Sequence, residues 1–355
     1  MANHSPVIKW DWGTAYDLFA SLHVLHHPEY FGLRASWAAG VRSRLATPQR
    51  TILEESQELF FSNPFGWVAS LPEPRDANTA ISALAQISPA ERLPTLASHL
   101  DEPPELLAFL KEVLLRRSWD EKDLEKLQQS HHKTNNRPDR TRLATLLNWW
   151  SHPEEFGERY LPALQAYITV FFAEEERRIK PYLKQALASA QELASRLDFS
   201  KLFIELSQGV KIAFLEDADE VTLVPSYWST PLVMYDCVVK DRWVVLFGAR
   251  PADVALVPGE LVPDGLLRAL KALSDPTRLI ILRYLTDQPL TPSQLARKLR
   301  LRPPTVIHHL NTLRLSGLVY VILEEGEEKR YTVRAPAIEE TFLVLNKFMK
   351  NVSRE

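Results

Sequence analysis

Between Asp275 and Pro304 the chain writes three proline-marked helix starts in close succession, and few folds accept that spacing. Asp275-Pro276 is an N-cap residue followed by a proline at the first helical position, where the missing N–H costs nothing. Leu279, Ile280, Ile281, Leu282 and Leu285 then give a broad apolar face, and Gln288-Pro289 breaks it. Thr291-Pro292 repeats the cap-plus-proline start, with Leu295 and Leu299 as an i, i+4 pair. Pro303-Pro304 opens a third helix, predicted to run to Ser316 with Val306, Leu310 and Leu313 on its core face. Gly317 is placed to stop it. Leu318 to Leu323 and Lys329 to Val333 read as two strands, joined by an acidic turn from Glu324 to Glu328. The predicted order is helix, short helix, turn, helix, hairpin.

Charge is unevenly divided. Residues 264–355 hold 15 basic and 10 acidic side chains, against −3 for the whole chain, which leaves −8 for residues 1–263. From Thr291 to Ser316 the basic residues are Arg297, Lys298, Arg300, Arg302 and Arg314, with no acid among them. A basic stripe on an acidic chain points to a polyanionic partner.

The phrases LKALSDPTRLIILRYL, TPSQLARKL, TVIHHLNTLRLSGLV and KRYTV resemble, in order and spacing, the ArsR-type bacterial transcriptional regulators. The resemblance implies a winged helix-turn-helix that binds double-stranded operator DNA, commonly as a homodimer, with its third helix reading the major groove. Thr305, Ile307, His308 and Arg314 fall on the side of that helix away from the core face. Arg302, Arg314, Lys329 and Arg330 are the expected phosphate contacts, Thr305 and His308 the expected readers of sequence, and His309 is expected to turn inward. Two departures stand out. Arg302 and Ile307 occupy places where the family often has small polar residues, and Ile307 can only pack, for example on a thymine methyl. Glu324, Glu325, Glu327 and Glu328 make a wing tip that phosphate repels, which moves wing contact to Lys329 and Arg330.

The remainder reads as a mostly helical domain with a small, mainly antiparallel sheet, so the fold class is α+β. Domain bounds are placed at 1–258 (helical over 1–205, sheet over 206–250) and 259–355, at the Pro-rich stretch Pro251 to Pro263. A strand over Val7 to Trp12 is expected first. Helices are expected over Glu29 to Leu45, Gln49 to Phe60, Glu105 to Arg117 and Arg140 to Trp150, and over Glu154 to Leu197 with a break near Pro181. Val210 to Leu215, Glu220 to Val224, Leu232 to Val239 and Trp243 to Ala249 are the expected strands, with Pro225 marking an edge or exit. The WDWGTAYDLFASLHVLHHPEYFGLRASW and VTLVPSYWSTP segments are similar to uncharacterised N-terminal domains of some ArsR-type regulators, a likeness that carries no functional residue.

Neither a bilayer-spanning run nor a signal peptide is present in the sequence, and Cys237 is the one cysteine, so a cytoplasmic protein is expected. With 11 glycines and no phosphate loop, dinucleotide turn, nucleophile elbow or HExxH, no enzyme and no cofactor are expected. His23, His26 and His27 share a helical face and are the metal candidates, weighed against a helix-end cluster before Pro28. Metal-sensing cysteines and histidines of the family are missing, so no metal is expected, and His131-His132 reads as polar loop. All nine tryptophans precede residue 264. Most should anchor cores. Ser226, Tyr227, Trp228 and Arg250 are the candidates for holding a small, largely apolar effector. The expected function is a one-component transcriptional regulator. The alternatives are an N-terminal domain used only for dimerisation or protein contact, and an enzyme fused to a DNA-binding domain.

Overall fold

The computed structural model describes residues 5–59, 63–97, 104–130, 139–257, 262–323 and 328–350. Strand β1 (Val7–Trp10) leads into α1 (Thr14–His26), α2 (Ala35–Arg42), α3 (Thr47–Leu59), α4 (Phe65–Ser70), α5 (Ala77–Gln86) and α6 (Pro89–Ala97). Next come α7 (Pro104–Arg116), α8 (Glu121–Ser130), α9 (Arg140–Ser151), α10 (Pro153–Tyr167), α11 (Ala173–Ala194) and α12 (Phe199–Leu206). Then follow β2 (Val210–Ile212), α13 (Ala213–Glu216), β3 (Glu220–Ser226), β4 (Met234–Val239) and β5 (Arg242–Gly248). The C-terminal region holds α14 (Asp264–Leu273), α15 (Pro276–Asp287), α16 (Pro292–Leu299), α17 (Pro303–Leu315), β6 (Val319–Leu323), β7 (Arg330–Val333) and α18 (Ala335–Lys350). Helices joined to small sheets make the chain α+β, as its alternation of periods predicts.

α1 is nearly buried all round: Tyr16, Leu18, Leu22, Val24 and Leu25 are shut from solvent, and its N-terminal turn meets the core too. Glu176 of α11 ties two helix starts at once, accepting from Thr14 Oγ1 at 2.5 Å and from the Ala77 amide at 3.0 Å. A carboxylate there satisfies orphan N-terminal groups and complements both helix dipoles.

Three sequence expectations are corrected. The helical stretch after Glu154 is not broken at Pro181, which lies inside α11. Pro181 is exposed, so the carbonyl it leaves unpaired faces water, while buried Ile179, Leu183 and Ala190 keep the helix packed. The change of pitch falls earlier, in a π-helical turn at Ile168–Phe172 that buries Phe171 and Phe172. A second break, at Gly32 in the left-handed region, splits the helix expected over Glu29 to Leu45 into a 3-10 turn (Pro28–Phe31) and α2.

The sheet is the third correction. Its order is β1-β3-β5-β4, and only β4–β5 is antiparallel; β1–β3 and β3–β5 are parallel. The β4–β5 hairpin inserts β5 beside β3, which forces the parallel pairing. β3 is therefore central, and Pro225 avoids conflict because β1 has ended by then, Trp10 pairing with Leu223. β2 does not belong to this sheet at all. It pairs in parallel with β6, making a second sheet of order β2-β6-β7. Leu323, at the end of β6, packs against both the core of the C-terminal helices and the one beneath β3 and β5.

Candidate nucleic-acid interface

The C-terminal helices are fixed by the chemistry their sequence advertises. The Asp275 carboxylate accepts from the Arg278 amide at 2.9 Å, capping α15. Thr291 and Gln294 form a reciprocal capping box on α16, at 3.2 and 2.9 Å. Arg300 closes α16 in the left-handed conformation, and Gly317, at φ 69°, ends α17 with the Leu318 amide donating to Leu313 at 3.0 Å. Val306, Leu310 and Leu313 of α17 are buried against Ile281, Leu285, Leu295 and Leu318 in one cluster.

With that face spent on the core, α17 presents another to solvent. Arg302, Thr305 and His308 are exposed, and Ile307 is 43% exposed. Arg297, Lys298 and Arg300 at the end of α16 are exposed as well. No side chain caps α17. Its first turn carries Pro303 and Pro304, which have no N–H, so attraction for an anion there rests on the helix dipole and Arg302. His309 is half-buried, its Nδ1 is enclosed without a hydrogen bond, and burial holds its pKa below the usual range against the pull of Asp275.

Arg314 is placed differently from its expected companions. It is half-buried under the wing, its Nε is enclosed without a hydrogen bond, and it lies in electrostatic reach of Tyr331 and of Tyr235 from β4. Lys329 and Arg330 are exposed on the return strand. Glu324, Glu325 and Glu327 lie outside the described residues. Glu328 is exposed, and its carboxylate accepts from the Ser293 amide at 3.2 Å and Ser293 Oγ at 2.8 Å, tying the wing to the start of α16.

The effector candidates separate too. Ser226, Tyr227 and Trp228 are fully buried. They wrap the carboxylate of Asp17, which accepts from Ser226 Oγ at 2.8 Å and from the amides of Tyr227 and Trp228 at 3.2 and 2.9 Å. Burial pushes the pKa of Asp17 up to about 6, those three donors opposing it. The Ser226 hydroxyl and the two amides are thus engaged by the core, while Trp228 Nε1 is buried without a hydrogen bond. Arg250 borders a cleft between the two halves of the chain. Asp17 carries no sequence signal: its hydrogen-bond donors are remote in the chain.

His23 and His27 lie with ring centroids 4.6 Å apart, and His26 Nδ1 meets the Leu22 carbonyl at 2.8 Å. Among the described residues no group of three or more histidine, cysteine or acidic side chains is arranged to hold a metal. His131 and His132 lie outside the described residues. Among those described, no helix is long and apolar enough to cross a membrane.

Three helices with a wing behind them define a winged helix-turn-helix. Residues 275–321 match the family model described as bacterial regulatory protein, arsR family, and constitute an ArsR-family helix-turn-helix domain. The chain is 43% identical over 74 residues to the HTH-type transcriptional regulator CmtR of Mycobacterium bovis and of Mycobacterium tuberculosis. That stretch is 21% of this chain and 62% of those relatives. An ArsR-like transcriptional regulator from Rhodococcus sp. RHA1 is 31% identical over 25% of this chain and 82% of its own, with a TM-score of 0.23.

Proposed function

We propose that the chain is a DNA-binding transcriptional regulator, in which α17 enters the major groove of an operator and Lys329 and Arg330 hold the flanking backbone. The observation that carries this is the division of α17 into a core face and an exposed face of Arg302, Thr305, Ile307 and His308, continuous with a basic α16 and free of acidic residues from Thr291 to Ser316. The family of the matched domain supports it. Residues 259–355 are the DNA-binding region on this reading and residues 1–258 the regulatory region, responding to an effector rather than turning one over. The chain then works in the cytoplasm as a homodimer. Phe342, Leu343 and Met349 stand exposed on α18, a natural place for a second copy.

Selecting fragments of the source genome on the full-length protein tests the reading. A few fragments should survive, sharing half-sites about one helical turn apart. Their affinity should fall steeply with salt, and Arg302→Gln should flatten that slope by about one unit. Retention of random fragments without enrichment would contradict it.

A further inference from the structure

The seam between the two halves holds a cleft of about 320 Å³ that opens to solvent. One wall belongs to the N-terminal half, with Thr230, Arg250 and Val254; the other to the winged half, with Leu266, Arg268 and Arg334. The Arg250 side chain is 3% exposed. Its Nη2 donates to the Thr230 carbonyl at 3.1 Å, but its Nη1 is buried without a hydrogen bond. Asp264 is its ion-pair partner, 3.6 Å from Nη1, and that oxygen is taken at 2.5 Å by the Leu256 amide. The Nε of Arg268 is likewise buried and unbonded. Arg334 contacts only Glu340 among the ion pairs of the described residues, at 3.3 Å, and Glu340 is exposed. Burial pulls the pKa of Arg250 down to about 10, and the neighbouring Arg268 adds to that pull. A buried guanidinium with an idle N–H carries a desolvation cost that a bound anion removes.

The hydroxyls around the cleft are already engaged. Thr341 Oγ1 donates to Ala337, Ser316 Oγ to Thr312 and Thr230 Oγ1 to Ser226. Apolar surface from Val254, Leu266, Ala269, Leu315 and Val344 fills much of the remaining wall. Glu205, Gln208 and Glu340 also border it, but the buried, unbonded N–H groups are those of Arg250 and Arg268, so the space offers cationic donors and hydrocarbon together, in a volume at the small end of ligand sites.

We infer that this seam is a binding site for a small organic carboxylate, whose carboxyl group meets Arg250 and Arg334 and whose apolar body lies against Leu266 and Val344. The site keeps Arg250 from the expected effector contacts and adds residues of the winged half. It rests on the proposed regulatory reading only for its consequence. A ligand bridging Arg250 and Arg334 touches both halves, so it favours the arrangement in which they are apposed and shifts DNA affinity by its preference for that arrangement.

Calorimetric titration of the full-length protein with phenylacetate and benzoate, beside phenylacetamide and benzamide, tests the site without DNA. At least one acid should bind, and its amide should bind about tenfold more weakly or worse, as loss of a charge-assisted bond implies. Arg334→Gln should weaken the acid by a similar factor, and Arg250→Gln by more. Glu340→Gln should tighten it, because Arg334 loses its competing carboxylate. Both Arg334 and Glu340 sit at the surface end of the site, so these variants stay informative if Arg250→Gln fails to fold. Equal binding of acid and amide, no binding of either acid at millimolar concentration, or indifference to both Arg334→Gln and Glu340→Gln would overturn the inference. Because no DNA is present, failure here leaves the operator reading standing, and failure of the operator reading leaves the site standing.

Discussion

His23 and His26 illustrate how single side chains set the response of the N-terminal half to acid. Burial lowers the pKa of each to about 4, with His27 adding to the effect on both. A histidine whose folded pKa lies below its unfolded value contributes stability that is complete above about 6.5 and is lost as pH falls towards 4. Asp17 works in the opposite sense: its raised pKa makes its contribution fullest below about 4 and spent as pH rises through 6. Two histidines against one aspartate leave acid destabilisation as the net outcome between pH 6.5 and 4. His23→Phe with His26→Gln should melt at a temperature that varies less with pH over that window than the parent does. An unchanged pH profile in the double variant would assign the acid response to other groups. Asp17 carries a further lesson at this scale. Its three donors come from residues 226 to 228, about two hundred positions away, and nothing local distinguishes it from a surface helix acid. The clamp that Ser226, Tyr227 and Trp228 form on Asp17 was not legible for that reason: a cluster of polar and aromatic residues suits a pocket and a buried carboxylate clamp equally well.

At the scale of elements, the winged module was the legible region. Its starts and stops are written in caps, prolines and Gly317, all acting over a few residues, so α15, α16 and α17 fall where the sequence puts them. Sheet direction was not legible, because hairpin insertion of β5 beside β3 depends on pairings far apart in the chain. The role of β2 was hidden most deeply. Three residues from the N-terminal half cover the outer edge of the wing sheet, Val210 opposite Val321 and Ile212 opposite Leu323. Such an edge would otherwise offer unpaired backbone to other chains. Gly209 makes the approach feasible. At φ 102° it occupies a conformation that other residues resist, and a Cβ there would fall 1.8 Å from Cδ1 of Tyr320. Its carbonyl accepts from the Val321 amide at 2.8 Å. Gly209→Val should therefore cost about 2 to 4 kcal/mol, from strain and overpacking together, and should speed hydrogen exchange at Val321 and Leu323. Unaltered exchange along β6 would mean that β2 does not pair with it in solution.

Across the whole molecule, an acidic helical half and a basic winged half meet along a seam that is polar, strand-paired and partly hollow. The pieces that join them are the β2–β6 pairing, Arg314 near Tyr235, the Lys347–Asp253 ion pair at 2.5 Å and the arginine-lined cleft. The exposed ion pair contributes little by itself, since surface pairs are worth about 0 to 1 kcal/mol. The strand pairing matters more, because its backbone hydrogen bonds are lost if the halves separate. A seam of this kind gives the N-terminal half a physical route to α17 and the wing. Such a route has a regulatory use only if α17 reads DNA sequence. The most direct measurement is the affinity of the full-length parent and of the Thr305→Ala, His308→Ala double variant for the selected fragment and for a scrambled fragment of equal length, at one fixed salt concentration. The parent should prefer the selected fragment, and the double variant should lose most of that preference, about 1 to 3 kcal/mol for each base contact removed, while keeping its salt-dependent binding to the scrambled fragment. A double variant that discriminates as well as the parent would contradict this assignment and place sequence reading on another element.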